Sequence, residues 1–254
     1  MSIFNKITRY SKLLTFNNNN KNLIKYKDKH INERVFIIGN GPSLNTCNLD
    51  LLKNETTISM NRINLIFKRY RNWKPSYHIA FSNILMKEDE MGKDWLNSAL
   101  EIISNKKTIL FIPKIFKKKI DPSSKFKNIN WIKSVTENKR TENLNGYNEK
   151  IFSTNIAKSI DKSGSSMSVA LQLAYYMGFK EIFILGADLN YISTEKKDLN
   201  HFTSNYNVKV NDPYRSNNNV RNIHLLALNI FHKKNKKIKI YNCSNMSYLD
   251  TYSI

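Results

Sequence analysis

Disulfide frameworks, membrane-spanning segments and acidic residues are missing or scarce in this sequence of 254 residues. Only two cysteines are present, too few to staple a small secreted domain. No run of about 18 apolar residues occurs that would span a bilayer as a helix. Only 20 Asp and Glu stand against 41 Lys and Arg, so the formal net charge is +21. The sequence therefore predicts a soluble, basic protein.

The apolar content is nevertheless high enough for a folded core. Hydrophobic residues make up 41% of the chain and aromatic residues 11%, which is too apolar for an intrinsically disordered polycation. A chain of this length can bury a sizeable core. We therefore expect most of the sequence to fold into one or two domains.

Residues 1–33 differ in pattern from the rest of the chain. Apolar residues at helical spacing alternate with Lys6, Arg9 and Lys12, which predicts a basic amphipathic helix. Because these charges interrupt the apolar residues, no signal peptide is expected. An Asn-rich linker is predicted to follow the helix. The helix lies either on a membrane surface, on its own domain or on a second copy of the chain, and the sequence leaves these alternatives open.

The main domain is predicted to cover residues 34–254. A continuous apolar run over residues 35–38 suits a strand that is buried on both faces of a parallel sheet. The next six residues are Gly39-Asn40-Gly41-Pro42-Ser43-Leu44, in which the glycines let the backbone approach a ligand and the serine can contact an anion. The glycine spacing is neither that of a dinucleotide fingerprint nor that of a P-loop. A ligand loop of another kind is predicted, with a plain strand-to-helix turn as the alternative.

Asparagines follow two further predicted strands, at residues 57–60 and 77–81. Because ligands of open α/β sheets lie at the carboxyl ends of the strands, we expect Asn40, Asn61 and Asn83 to converge on one crevice. Their amides would donate and accept hydrogen bonds there, and a turn or cap role is the alternative for each.

Two more segments complete this half of the domain. Residues 106–113 predict another strand. Residues 114–148 have many charges and little periodicity, and we interpret them as an insertion or lid.

A second diagnostic stretch lies further along the chain. The capping residues Ser163-Gly164-Ser165-Ser166 precede a predicted helix that Gly178 ends. The N-terminus of such a helix is suited to bind phosphate. A strand over residues 181–185 follows and leads into Gly186-Ala187-Asp188. This order predicts an α/β fold with a mostly parallel sheet flanked by helices.

Taken in order, these blocks resemble the single-domain bacterial sialyltransferases. They equally resemble the broader superfamily that includes motility accessory factors and 6-hydroxymethylpterin diphosphokinase-like proteins. The resemblance rests on residues 37–44, 163–165 and 178–188, and residues 238–244 fit the closing strand. It implies a Rossmann-like domain that transfers a sialic acid, Kdo or a related acidic sugar from a CMP-sugar, with inversion, to a hydroxyl group of a surface glycan. Beyond this donor substrate it implies no cofactor.

The resemblance also implies roles for individual residues. Those assigned to the nucleotide-sugar are Gly39, Asn40, Gly41, Pro42, Ser43, Asn61, Asn83, Ser163, Gly164, Ser165, Gly186 and Asp188. Among them, residues 163–165 would hold the ribose-phosphate or the sugar carboxylate. Tyr191, with Tyr206 as a second candidate, would stabilise the departing phosphate.

The implied reaction needs a general base for the acceptor hydroxyl, and histidine has a suitable pKa. Three of the five histidines have structural or solvent interpretations, namely His30 in the linker, His78 in an apolar strand and His232 among lysines. His201 is the first candidate, because Asn200-His201-Phe202 resembles an Asn-His-Phe stretch of the superfamily. His224 is the second, because its place in the chain is nearer to that of the sialyltransferase base.

Neither a metal nor nucleic acid is expected as a partner. No Asp-x-Asp pair ends a predicted strand, and the cysteines and histidines lack the spacing of a zinc site. Basic clusters at residues 68–71, 114–119 and 233–237 favour anionic partners, but no nucleic-acid-binding motif accompanies them. An anionic membrane surface or a glycolipid acceptor would use the same charge.

Several alternatives stay open at this point. A homo-oligomer is one of them, and the predicted location is the cytoplasm, either free or at the inner face of the cytoplasmic membrane. The alternative functions are an ATP-dependent, metal-dependent pterin diphosphokinase-like enzyme and a non-catalytic nucleotide-binding protein of the same fold.

Overall fold

The computed structural model describes residues 21–120, 126–135, 152–161, 165–189, 200–206, 228–229, 231–233 and 235–244. The strands in these ranges are β1 (Arg34–Ile38), β2 (Thr57–Met60), β3 (Tyr77–Ile79), β4 (Ile109–Pro113), β5 (Ile129–Ile132), β6 (Ser134–Val135), β7 (Ile160–Asp161), β8 (Glu181–Leu185) and β9 (Lys239–Asn242). The α-helices are α1 (Lys21–Ile24), α2 (Glu90–Ile103) and α3 (Ser166–Met177). Short 3₁₀ helices cover Pro42–Thr46, Leu49–Leu52, Ile63–Ile66, Asn83–Met86 and Lys114–Lys118.

Seven strands form one parallel sheet in the order β5-β4-β3-β2-β1-β8-β9. Strands β1 and β8 are neighbours, with Ile37 opposite Ile184, and both consist largely of apolar residues that suit burial on two faces. The strand order turns back at β1, which creates a switch point and opens a crevice beyond the carboxyl ends of β1 and β8. Strands β6 and β7 pair separately. The predicted Rossmann-like α/β fold is confirmed.

Helices cover both faces of the sheet. Helix α3 lies on one face and is buried on nearly all sides, because almost every residue in it is apolar or small. Helix α2 and the 3₁₀ helices cover the other face, to which α2 presents a stripe that includes Trp95 and Ile102. The Ser165 hydroxyl caps α3 by accepting a hydrogen bond from the Met167 N–H at 3.1 Å. Gly178, at a φ of +89°, ends this helix as predicted.

Residues 21–33 belong to the folded domain, whereas the sequence predicts a linker there. Leu23 and Tyr26 are buried in the core beneath α3. The His30 N–H donates to the Met177 carbonyl at 2.8 Å, and its ring stacks on Phe179 with centroids 4.6 Å apart. The domain therefore begins before β1, because two apolar anchors among lysines and asparagines are enough to attach this segment. Residues 1–20, with the predicted amphipathic helix, lie outside the described residues.

The prediction of an insertion or lid over residues 114–148 is wrong in part. Residues 129–132 are the edge strand β5, which pairs in parallel with β4. Its burial alternates, with Asn130 and Ile132 buried, but four residues are too few to give a periodic signal among charged neighbours. Residues 136–148 lie outside the described residues. Within the ranges given above, no helix has both the length and the apolar character needed to cross a membrane.

Candidate functional site

The turn after β1 packs directly on the turn after β8. The Gly39 N–H donates to the Leu185 carbonyl and the Gly41 N–H to the Gly186 carbonyl, each at 2.8 Å. A Cβ atom on Gly39 would overlap the Gly186 carbonyl, and one on Gly41 would lie 2.5 Å from Oδ2 of Asp188. Glycine is required at both positions because the two turns approach so closely.

Asp188 joins the two turns through its carboxylate. Oδ2 accepts a hydrogen bond from the Ser43 N–H at 2.7 Å, and Oδ1 accepts one from the Ser43 hydroxyl. The Asp188 residue is only 6% exposed, and no basic side chain among the described residues forms an ion pair with it. Charge-assisted hydrogen bonds of this kind are stronger than neutral ones. The N–H and hydroxyl of Ser43 thus both serve to fix the loop over residues 39–43.

Asn40 presents an unpaired acceptor at the centre of this region. Its Nδ2 donates to the Met60 carbonyl at 3.0 Å, which ties the loop to the end of β2. Its Oδ1 is buried without a hydrogen-bond partner among the described residues. Buried polar atoms in native proteins are normally satisfied, so a donor from a ligand is a physical explanation for this one.

Asn61 connects the end of β2 to the N-terminus of α3. It adopts a left-handed conformation with φ of 55°, which asparagine tolerates better than most residues. Its Oδ1 accepts a hydrogen bond from the Ser166 hydroxyl at 3.3 Å. The structure therefore brings Asn61 to the helix end where the sequence predicts an anion site. Ser165 caps that end, as described above.

Asn83 lies at the same edge of the sheet, after β3, which is two strands away from β1. It is the first residue of the 3₁₀ helix that follows β3, and it is exposed. The Ser82 hydroxyl caps this helix by accepting a hydrogen bond from the Ile84 N–H at 3.2 Å. Asn40, Asn61 and Asn83 thus lie at the carboxyl ends of three adjacent strands, as their positions in the sequence predict.

Residues 200–206 bring His201 to the loop after β1. The Phe202 N–H donates to the Asn40 carbonyl at 2.9 Å, and the Phe202 carbonyl accepts from Nδ2 of Asn45 at 3.0 Å. Both main-chain groups of the residue next to His201 are therefore fixed. The imidazole of His201 stacks on the ring of Tyr206, with centroids 3.8 Å apart and an interplanar angle of 5°.

Tyr206 is 1% exposed, and Arg62 holds it at two points. Its hydroxyl accepts a hydrogen bond from the Arg62 N–H at 3.2 Å, and its carbonyl accepts one from Nη1 of Arg62 at 2.6 Å. The ring also meets Trp95 edge-on, with centroids 5.8 Å apart. The motifs that predict the site do not include Arg62. The signal that would have found it is a charged residue directly after Asn61, in a stretch that is otherwise buried.

His78 and His30 have surroundings that fit their structural interpretations. His78 is fully buried in β3, where its Nδ1 is hydrogen-bonded to the Ser59 hydroxyl at 2.9 Å. Burial lowers the pKa of His78 to about 3, although the main chain of Asn61 acts in the opposite direction, so the ring is neutral near pH 7. His30 is hydrogen-bonded to the Tyr77 hydroxyl at 2.7 Å, far from the turns described above.

Several candidates from the sequence lie outside the described residues. They are Ser163, Gly164, Tyr191 and His224. Their predicted roles stay predictions. Within the described ranges, no three His, Cys, Asp or Glu residues are grouped so that they could hold a metal ion.

No protein-family model and no curated protein matches this chain. Solved structures resemble it at low identity. The sialyltransferase CstII from Campylobacter jejuni, in complex with cytidine-5'-monophosphate, is 19% identical with a TM-score of 0.47, covering 87% of this chain and 83% of that chain. The sialyltransferase CST-II in complex with a trisaccharide acceptor and CMP is 20% identical with a TM-score of 0.48, and the match covers 87% of this chain and 84% of that chain. The monofunctional alpha-2,3-sialyltransferase Cst-I from Campylobacter jejuni is 16% identical with a TM-score of 0.47, and the match covers 87% of this chain and 78% of that chain. The Rossmann-like assignment of this chain rests on its own strand order and register.

Proposed function

We propose that this chain is a glycosyltransferase that moves a sialic acid, Kdo or a related acidic sugar from a CMP-sugar to a hydroxyl group of a surface glycan. The observation that carries the proposal is the contact between two turns that resemble sialyltransferase blocks, one after β1 and one after β8. They meet at the switch point of the sheet, where open α/β sheets bind nucleotides.

The groups around these turns suit the proposed donor. The unpaired Oδ1 of Asn40 would accept a hydrogen bond from a hydroxyl or amino group of the nucleoside. The N-terminus of α3, next to Asn61, offers a partial positive charge to the phosphate or the sugar carboxylate. A CMP-sugar carries both kinds of group.

The proposed reaction is a direct displacement with inversion. His201 takes the proton of the acceptor hydroxyl while that oxygen bonds to the anomeric carbon, and CMP leaves with the electrons of the broken bond. Tyr191 would stabilise the departing phosphate. No divalent ion is required in this proposal, because the leaving group is a nucleoside monophosphate rather than a diphosphate. His224 is the base if His201 is not.

The acceptor side of the proposal rests on charge and position. The basic 3₁₀ helix Lys114–Lys118 follows the carboxyl end of β4, at the same edge of the sheet as the proposed site. A glycolipid acceptor in an anionic membrane surface would be attracted to such a segment. The proposed location is therefore the cytoplasmic face of the membrane. A second copy of this chain stays an open candidate as a partner.

Thermal unfolding with nucleotides tests the donor class. Ligands that bind the folded state stabilise it by about 2.7 kcal/mol at 100 times Kd, which raises the melting temperature. We expect CMP to stabilise the chain equally with and without Mg²⁺, and ATP, UDP and GDP to have little effect. Stabilisation by ATP with Mg²⁺ alone would overturn the proposal in favour of a diphosphokinase-like enzyme.

A matched pair of variants shows whether CMP binds at the proposed site. Asn61→Asp places a negative charge beside the N-terminus of α3 and should reduce the shift caused by CMP. Asn48→Asp adds the same charge at an exposed 3₁₀ N-cap, where Asp also caps well, and should leave the shift unchanged. Release of CMP from CMP-N-acetylneuraminic acid or CMP-Kdo in the presence of galactose-terminated oligosaccharides then tests the transfer itself.

A further inference from the structure

Residues 200–206 are fastened at both ends to the turns of the proposed site. Near the start, the N–H and carbonyl of Phe202 are both bonded to the loop after β1. At the end, Tyr206 is bonded to Arg62, which follows β2. His201 directly precedes the first attachment, and its ring stacks on Tyr206 at the second. A loop residue held in this way loses most of its freedom before any substrate arrives.

The ring of Tyr206 is itself fixed on several sides. Arg62 holds the hydroxyl with its main-chain N–H and the carbonyl with its guanidinium. Trp95 and Phe202 contact the ring edge-on, with centroids 5.8 Å and 5.9 Å away. A nearly parallel ring 3.8 Å away restricts the side-chain torsion that would otherwise be broad for histidine. Tyr206 therefore sets the plane of the His201 imidazole.

The contact between Arg62 and Tyr206 is not explained by stability alone, because it buries a charged side chain. The Arg62 residue is 8% exposed, and its Nε is buried without a hydrogen-bond partner in the part of the chain that the structure describes. No carboxylate among the described residues forms an ion pair with it. A buried charge without an opposite charge destabilises the fold. Costly polar groups of this kind are found at sites where the geometry serves function.

We propose that Tyr206 and Arg62 are positioning residues that hold the His201 imidazole in the orientation required for proton transfer. This inference rests on the proposed function, in which His201 is the general base. A general base must lie within hydrogen-bond reach of the proton that it removes, and a misplacement of about 1 Å can reduce the rate about 100-fold. Tyr206 acts through the plane of its ring, and Arg62 acts through Tyr206.

The first experiment measures the position of His201 without any substrate. In ¹H–¹³C NMR spectra of the full chain, the ring protons of His201 should resonate upfield, because they lie over the face of an aromatic ring. The signal is assigned by its loss in His201→Gln. Tyr206→Phe keeps the ring and should keep the upfield shift, whereas Tyr206→Leu should abolish it. Arg62→Gln should reduce the upfield shift of the His201 ring protons without abolishing it.

The second experiment measures transfer from CMP-N-acetylneuraminic acid and CMP-Kdo to galactose-terminated oligosaccharides. We expect Tyr206→Leu to lower kcat about 30-fold, because a misoriented base loses part of the roughly 100-fold or more that a general base contributes. The KM for the donor should change less than about two-fold. Tyr206→Phe, which keeps the aromatic ring, should retain most of kcat. Tyr70→Leu removes another buried tyrosine from the same core layer and should change kcat little, provided that both variants stay folded at the assay temperature.

The outcomes separate the two proposals. If the unsubstituted chain transfers neither sugar, the proposed function is overturned and the positioning role with it. If it transfers a sugar and folded Tyr206→Leu keeps its kcat, the positioning role alone is overturned. Loss of kcat together with an equal loss in Tyr70→Leu also overturns it, because the effect is then one of general destabilisation.

Discussion

The two ends of the parallel sheet carry polar clusters of different character. At the amino ends of the strands, the side chains are paired with one another. His30 is hydrogen-bonded through Nδ1 to Glu33 at 2.8 Å and through Nε2 to the Tyr77 hydroxyl at 2.7 Å. Arg34 forms two parallel hydrogen bonds with Glu55. Such a cluster fixes the local structure and leaves little for a ligand to bind.

At the carboxyl ends, polar groups are buried without being fully paired. Oδ1 of Asn40 and Nε of Arg62 are both buried and have no partner among the described residues. Left-handed backbone occurs at both ends, at Asn61 here and at Asp28 and Asn32 beside His30, so it does not distinguish them. An unpaired buried polar atom is a candidate for contact with a ligand. The two clusters therefore differ in how far their named polar groups are hydrogen-bonded, rather than in their number of polar residues.

The largest effect is expected at Asp188, because both of its carboxylate oxygens accept hydrogen bonds from Ser43. Asp188→Ala leaves the buried N–H and hydroxyl of Ser43 without an acceptor and should lower the free energy of unfolding by about 3 kcal/mol. Asp94→Ala, at an exposed position of α2, should change it by less than about 0.5 kcal/mol. Urea unfolding measures both. Equal, small effects would mean that Asp188 does not hold the two turns together.

A smaller effect, confined to ligand binding, is expected at Asn40. Asn40→Ala should weaken CMP binding by about 2 kcal/mol, roughly 30-fold, since a buried ligand donor loses its acceptor. Asn45→Ala loses a comparable hydrogen bond, to the Phe202 carbonyl, and should bind CMP normally. Titration calorimetry distinguishes the two variants. Unchanged CMP affinity in Asn40→Ala would mean that the unpaired oxygen of Asn40 has no role in ligand binding.

His78, in the middle of β3, has a buried ring atom that lies away from both ends of the sheet. This atom, Nε2, also has no hydrogen-bond partner within the described ranges, but the ring is fully buried and neutral. The unfolded chain binds a proton on this histidine below pH 6.5, whereas burial prevents the folded chain from doing so until about pH 3. Stability should therefore fall as the pH falls through this window, by up to ~1.4 kcal/mol per pH unit.

The variant His78→Asn isolates this contribution. Asparagine does not titrate, so the decrease in stability between pH 6.5 and pH 4 should be smaller in the variant than in the unsubstituted chain. Urea unfolding at several pH values gives the comparison. Identical pH dependence in both proteins would show that the folded chain protonates His78 as readily as the unfolded chain does.

The parts of the fold that the sequence predicts are those with a local pattern. Strands β1 and β8 are continuous apolar runs, and α3 lies between a capping serine and Gly178. The shared edge of Asn40 and Asn61 follows from parallel topology alone. By contrast, β5 is too short to show a period, and Leu23 and Tyr26 are anchors within a polar stretch.

The pairings that build the site have no local pattern. Ser43 and Asp188 are 145 residues apart in the chain, and Arg62 and Tyr206 are 144 residues apart. Both contacts depend on which strands become neighbours, and no spacing in the sequence encodes that. The polar groups could therefore be selected from the sequence, but their division into paired and unpaired atoms required the structure.

The smallest effect is expected at the amino ends of the strands. Tyr77→Phe removes the hydroxyl that is bonded to His30 and Lys29, and should lower the free energy of unfolding by about 1 kcal/mol. Tyr241→Phe, whose hydroxyl donates to Glu181 at an exposed position, should have almost no effect. Both variants should keep the CMP-induced rise in melting temperature, because neither residue is near the turns after β1 and β8. A loss of that rise in Tyr77→Phe would mean that the paired cluster also serves the ligand site, and the distinction between the two ends of the sheet would fail.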